Sequence, residues 1–334
     1  MVLAHVVDSW TREADRASDA FYRVGFLGGL AAPLFLFLAG VATAMSAAAK
    51  ARRQGSHHTG AQMARRRGWE IFALAFVFRA QAQLLGLGPL ENLLKVDILN
   101  VMGLSIVAAS YLWEVSTVRR ARVAVSAAAV VLVALATPTV RDVTWLARLP
   151  DAIEAYVRPA GSYAAFPAFP WAAFVFGGVI AGDLVDGLRR PAVQLGFAIA
   201  GTTGIVLAWI ASLQPSIYES ASFWHDSPTF FFIRLGIVVV LVPVAWGLER
   251  VVPSTLLRPL ATMGKSSLFV YWIHVEMVYG VVSEPIKRAL PLWTSLAALL
   301  VFCAFLYALV LLKNRLLERH ELRGPWRRVL AVVR

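Results

Sequence analysis

The 334-residue chain has a single cysteine and little charge, with Asp, Glu, Lys and Arg together making up 16% against roughly 25% in soluble domains. One thiol, Cys303, excludes an intrachain disulfide and a cysteine-based metal cluster. The signatures of several soluble enzyme classes are missing as well. There is no GxxxxGK[ST] loop, no GxSxG, no HExxH and no CxxC, so nucleotide hydrolysis, α/β-hydrolase chemistry and zincin chemistry have no motif behind them. No internal repeat is visible, which disfavours the inverted-repeat plan of many transporters. The alternation of polar and apolar positions that a transmembrane β-barrel requires is absent too.

Apolar length is what the chain does have. Hydrophobic residues make up 59% and mean hydropathy is +0.66. Apolar windows between charge clusters predict about nine complete spans, roughly 24–49, 68–87, 98–115, 121–138, 166–185, 192–213, 230–248, 258–282 and 292–313. The expected fold class is all-α: a polytopic transmembrane helical bundle with a partial N-terminal span added to these nine, residues 1–334 forming one integral membrane domain. Residues 1–10 read as the stub of a first span, and 314–334 as a basic cytoplasmic tail.

The net charge of +12 and pI near 10.4 are a topology signal. The basic residues cluster in short loops, with no aromatic-interleaved basic domain, so the partner they predict is a lipid bilayer and not nucleic acid. Lys50, Arg52, Arg53, Arg65, Arg66 and Arg67, then Arg119, Arg120 and Arg122, then Arg189 and Arg190, then Arg250 and Arg258, and finally Lys313 to Arg334 are placed in the cytoplasm. The loops 88–97, 139–165, 214–229 and 283–291 face outward. They carry more Pro, Trp, Tyr and acidic residues.

Ionisable groups at membrane depth cost a few kcal/mol or more, so each is a functional-site hypothesis. His5 and Asp8 share a helical face in AHVVDSW, where a carboxylate can orient and charge an imidazole. A histidine at a wet helix end is the plainer alternative. Arg79 interrupts FALAFVFRAQAQLL with Gln83 one turn on, and Asp97 and Asn100 open the next span in KVDILNVMG, where Asp97 serves either a site or a helix cap. His225 and Asp226 fall in an outer loop, and Arg234 lies just inside the following helix. MGKSSLFVYWIHVEMVYG is the richest segment: Lys265 enters from the cytoplasm, and Ser267, Tyr271 and His274 repeat on one face. By depth His5, Arg79, Asp97, Asn100, Arg234 and His274 fall in the outer half. His57 and His58 sit among cations that would oppose a metal.

Taken together, AHVVDSW, GGLAAPLFLFLAGVATAMS, KVDILNVMGLS, FPAFPWAAFVFGGVIAG and GKSSLFVYWIHVE resemble, in order and spacing, the bacterial relatives of heparan-alpha-glucosaminide N-acetyltransferase, within the transmembrane acyltransferase group. The resemblance covers most of the chain. It implies acyl-CoA bound from the cytoplasm, its pantetheine threaded between helices, and transfer to an acceptor outside with histidine as the key residue. The family's first span looks like DxxRGxxxxxMxxxHxxD, of which this chain keeps His5 and Asp8.

The resulting expectation is a bacterial inner-membrane acyltransferase that moves an acyl group, acetyl above all, from acetyl-CoA to a hydroxyl or amine of an extracytoplasmic glycan or small molecule, without a metal. His5 is the expected general base with Asp8 orienting it, and His274 is the second candidate. Arg79, Asp97, Asn100 and Tyr271 are expected to meet the acceptor or the carbonyl. Lys265 and Ser267, with Arg66 or Arg67, are expected at the CoA phosphates. The alternative is a transporter of a polar solute using the same residues, and the oligomeric state, a homodimer included, stays open.

Overall fold

The computed structural model describes residues 1–86, 90–184 and 190–319, so Arg189 and residues 320–334 of the basic tail lie outside the described residues. Among the described residues the chain is helical, with no strand beyond two isolated bridges, Thr11 with Leu290 and Val96 with Ala164. A short α1 (Val2–Trp10) is followed by α2 (Asp19–Gly29), α3 (Ala31–Gln54), α4 (His57–Gly86), α5 (Ile98–Glu114) and α6 (Arg119–Asp142). After the single turn α7 (Asp151–Glu154) come α8 (Ala168–Asp183), α9 (Pro191–Ser212), α10 (Pro228–Val251), α11 (Ser254–Lys265), α12 (Ser267–Tyr279) and α13 (Leu292–Arg319).

Every predicted window holds helix, but 24–49 is divided between α2 and α3 and 258–282 is divided at Ser266 between α11 and α12. Five stretches are long and apolar enough to cross a membrane: 19–54, 119–142, 191–212, 228–251 and 292–318. They fit an integral membrane protein. α5 and α8 are shorter apolar helices. The basic stretch 50–67, expected as a loop, is mostly helix. α3 runs to Gln54, α4 starts at His57, and the turn between them passes through Gly55 at φ +66°, a left-handed conformation that only glycine adopts without strain.

The chain forms two compact units. One gathers Met1–Ala31, Gln81–Leu87 and Gly247–Arg334, and the other Ala32–Ala80 and Gly88–Trp246. Within the second unit, helices cross where glycines meet. A Cβ on Gly178 of α8 would stand 1.9 Å from the Phe37 carbonyl oxygen, and one on Gly40 of α3 would stand 2.0 Å from that of Val175. Gly68 and Gly103 join α4 to α5 in the same way, and Gly201 and Gly236 join α9 to α10, each Cβ falling 2.8 Å from the opposite glycine's oxygen. In lipid, where tails are as apolar as leucine, such backbone approach supplies the dispersion contact that holds helices together. Around these crossings Phe37, Ala181, Phe197 and Val238 form an apolar cluster.

A buried ion pair closes one end of this unit. Arg122 of α6 (8% exposed) and Asp183 of α8 (7%) are fully enclosed. Arg122 Nη2 donates to Asp183 Oδ1 at 2.8 Å and Nε to Oδ2 at 3.1 Å, Trp113 Nε1 donates to Oδ1 at 3.2 Å, and Arg122 Nη1 donates to the Thr117 carbonyl at 2.8 Å. Satisfied in this way, the pair holds α5, α6 and α8 in one arrangement. His57 stacks on Trp113 at 4.0 Å, and Glu114 accepts from Arg65 at 3.0 Å and contacts His58, so α4 joins the same cluster.

The glycine crossings make a test. Gly178→Ala must push α8 off α3 and is expected to destabilise the detergent-solubilised protein by about 2 kcal/mol or more. Gly204→Ala, on α9 with nothing within 4 Å, is expected to be neutral or to stabilise by up to about 1 kcal/mol. Thermal unfolding midpoints check this, and equal midpoints for the two variants would contradict the packing described.

Candidate active site

In the first unit α1 is gripped by α12 and α13. Val6 and Trp10 pack with Val270, Val278, Phe302, Leu306 and Val310 in one buried cluster. The end of α1 is tied by its backbone: Arg12 N–H donates to Leu290 O at 2.8 Å, Leu290 N–H to Trp10 O at 3.0 Å, and Arg288 N–H to Ser9 O at 2.9 Å. Ser9 Oγ donates to Val278 O at 2.9 Å and Thr11 Oγ1 to Ser295 Oγ at 3.2 Å. The loop after α1 also caps α13, since Asp15 Oδ2 accepts from Leu292 N–H at 2.8 Å. That backbone bond, and after it Arg12, holds the Asp15 carboxyl below the usual carboxylate range.

This grip brings His5 against α12. Its ring centroid lies 5.2 Å from that of His274 and 5.3 Å from that of Tyr279. His5 Nδ1 is 3.0 Å from Tyr279 Oη, and the Tyr279 hydroxyl donates to Asp8 Oδ2 at 3.0 Å. A carboxylate only accepts, so the single hydroxyl proton points at Asp8 and the tyrosine oxygen accepts from His5 Nδ1–H. Nε2 of His5 is therefore the basic nitrogen. Asp8 reaches the imidazole through Tyr279 instead of directly as the i, i+3 spacing suggested, because its carboxylate is drawn to Tyr279 and to Arg16, whose Nη2 lies 3.2 Å from Oδ1 and whose Nη1 donates to Asp8 O at 2.6 Å.

His274 has the same tautomer for a different reason. Its ring is fully buried, and Nδ1 donates to the Val270 carbonyl one turn back at 2.6 Å. The lone pair is thus on Nε2, a buried atom with no hydrogen-bond partner. Tyr271 packs edge-on against the ring with centroids 5.7 Å apart. With both Nδ1 atoms engaged, two imidazoles stand together with Nε2 as the remaining ring nitrogen, an arrangement suited to taking a proton.

At the other end of α12, a cavity of about 430 Å³ is lined by Arg258, Ala261, Thr262, Lys265, Ser266, Asn314 and Glu318. Lys265 lines this cavity. Ser267 does not: it is exposed at the start of α12, and the buried Ser266 lines the cavity while accepting from Lys313 Nζ at 2.7 Å. The helix break turns the preceding serine inward. Two cations with hydroxyl and amide donors suit phosphate oxygens, with the Glu318 carboxylate as one opposing charge in the lining.

The remaining candidates lie in the second unit. Arg66 and Arg67 of α4 pair with Glu70 at 3.1 and 3.6 Å. Arg79 meets the buried Asp97 at 3.2 Å, while Asp97 and Asn100 form a capping box that starts α5, with Asn100 also donating to Tyr156 Oη at 3.3 Å. The cap and the polar cluster are thus the same residues. The Arg234 guanidinium stands 5.0, 5.9 and 5.3 Å from the rings of Trp171, Phe174 and Phe230. Asp226 pairs with Arg141 at 3.5 Å, and the latter also donates to the His225 carbonyl.

Sequence reasoning missed Tyr279, Arg16 and Ser266. Tyr279 lies off the face shared by Tyr271 and His274, and only the docking of α1 gives it a role; Arg16 had charge but no periodicity to mark it.

A family model described as heparan-alpha-glucosaminide N-acetyltransferase, catalytic, matches residues 1–218, 218 of the 334 positions. The match includes His5 and Asp8 and ends before His274 and Tyr279. No curated protein and no solved structure matches the chain.

The Asp15 cap yields a pH prediction. A carboxyl depressed on folding contributes stability above its ordinary pKa and loses it as pH falls through the lower folded-state value. Asp15→Asn is therefore expected to lower the thermal midpoint at pH 7 and to narrow its gap to the unsubstituted protein at the acid end. A gap independent of pH would contradict the anchoring role.

Proposed function

The chain belongs to the heparan-alpha-glucosaminide N-acetyltransferase catalytic family, and on that premise we propose that it transfers an acetyl group from acetyl-CoA to a hydroxyl or amine of an extracytoplasmic glycan or small molecule, with His5 as general base. The observation that carries this reading is the pair of buried or half-buried imidazoles, His5 and His274, whose Nδ1 atoms are engaged by Tyr279 and by the Val270 carbonyl, which leaves Nε2 as the nitrogen to take a proton. As the acceptor's nitrogen or oxygen attacks the thioester carbonyl carbon, its proton passes to His5 Nε2. The new C–N or C–O bond forms, the C–S bond breaks, and the departing thiolate takes the proton back from the imidazolium. His274 Nε2, an acceptor only in its tautomer, is available to the second N–H of an amine acceptor, whereas a hydroxyl acceptor has a single proton and gives it to His5.

On this reading the CoA phosphates meet Arg258 and Lys265, which line the cavity at the start of α12. From Ser266 to His274 is about 12 Å along the helix at roughly 1.5 Å per residue, a span for the pantetheine arm to cover. Positive charge at this mouth agrees with a cytoplasmic donor.

Turnover of labelled acetyl-CoA and its binding are the two readouts. His5→Ala is expected to lower transfer by about 100-fold or more while acetyl-CoA binding stays close to unchanged, and Lys265→Glu is expected to weaken binding where Lys287→Glu, in a pair with Glu284, does not. Near-normal turnover by His5→Ala would move the base to His274. Equal effects at Lys265 and Lys287 would reduce the phosphate contact to diffuse charge.

A further inference from the structure

Among the groups around His5, one has a task that neither the family match nor the sequence assigns. Tyr279 is the last residue of α12, beyond the residues the family model covers. Its hydroxyl contacts both His5 Nδ1 and Asp8 Oδ2, at 3.0 Å each, and its ring packs edge-on against the imidazole at 87°. We propose that Tyr279 is a positioning residue that relays the Asp8 carboxylate to His5 and so keeps the proton on Nδ1, leaving Nε2 free for the acceptor. This rests on the reading of His5 as base.

The physical argument is one of proton placement. An imidazole has one proton for two nitrogens, and the nitrogen that keeps it is set by the hydrogen bond the other side makes. Asp8 cannot donate, so it fixes the direction of the Tyr279 hydroxyl; Tyr279 oxygen then has only acceptor capacity for His5. Arg16 holds Asp8 from both its carboxylate and its carbonyl, which keeps the carboxylate aimed at the tyrosine. When His5 takes the acceptor's proton it becomes a cation, and the same chain lets the Asp8 charge stabilise it through one polarised hydroxyl. Without the hydroxyl the ring is free to hold its proton on Nε2, where it cannot act as base. Loss of tautomer control in a Ser-His-Asp triad costs about 10⁴ in kcat.

Tyr279→Phe retains the ring and its packing and removes only the relay. The expected result is a kcat lower by about 10- to 10³-fold with the KM for acetyl-CoA unchanged, and a Tyr279→Phe/Asp8→Asn double variant no slower than the slower single variant, since each breaks the same chain. Nitrogen-15 NMR of the histidine-labelled protein in detergent adds a readout that packing alone does not move: the His5 proton is expected on Nδ1 in the parent and on Nε2 in Tyr279→Phe, with His274 keeping its proton on Nδ1 in both. Multiplicative losses in the double variant, an unchanged His5 tautomer, or a near-normal Tyr279→Phe beside an inactive His5→Ala would each overturn the relay and leave the base assignment standing. A near-normal His5→Ala would overturn the base assignment and the relay with it.

Discussion

A polar group in hydrocarbon has no water to turn to, and in this chain that constraint decides where the charges go. Arg122 and Asp183 answer it with hydrogen bonds to each other, to Trp113 and to the carbonyls of Ser116 and Thr117, which lock three helices together. Arg79 and Asp97 answer it beside the cap of α5. Asp8 answers it through Tyr279 and Arg16 at a helix end. His274 Nε2, buried in the apolar grip of α1, α12 and α13, is left without a partner. Trp10 Nε1 in the same cluster is likewise unpartnered, but of the two only His274 Nε2 is an acceptor that a substrate donor would complete.

The same medium explains the scaffold. With no hydrophobic gain from bringing apolar helices together in lipid, the second unit relies on backbone contact at Gly40 with Gly178, Gly68 with Gly103 and Gly201 with Gly236. The first unit uses a different device, a short α1 sewn to α12 and α13 by backbone and hydroxyl hydrogen bonds at its C-terminal end. That sewing sets His5 against His274.

Much of this was legible because lipid demands long apolar runs, which sequence displays directly: the windows at 121–138, 192–213 and 292–313 lie within α6, over α9 and within α13. The break at Ser266 was not, since nothing in GKSSLF carries proline or an unusual charge pattern. Among the site residues, His5 and His274 stood out because ionisable groups in apolar runs are rare. Their meeting is a tertiary fact between residues 269 positions apart, invisible to any local period. Asp8 was found by spacing but given a direct contact that Tyr279 in fact mediates. Arg66 and Arg67, chosen for charge alone, prove to pair with Glu70, because local i, i+3 and i, i+4 partners were within reach.

Within one unit a cavity lined by cations lies at one end of α12 and the His5–His274 pair lies toward the other, and the proposed reaction would use the first for the donor and the second for the proton. A transferase built this way couples donor and acceptor chemically without moving either across the membrane. Proteoliposomes holding the purified chain, with isotopically labelled acetyl-CoA on the side of the Lys265 cavity and an amine or hydroxyl acceptor on the other, test this most directly. The account predicts labelled acetyl groups on the acceptor and free CoA retained on the donor side; flux of a polar solute with no acetyl transfer would contradict it.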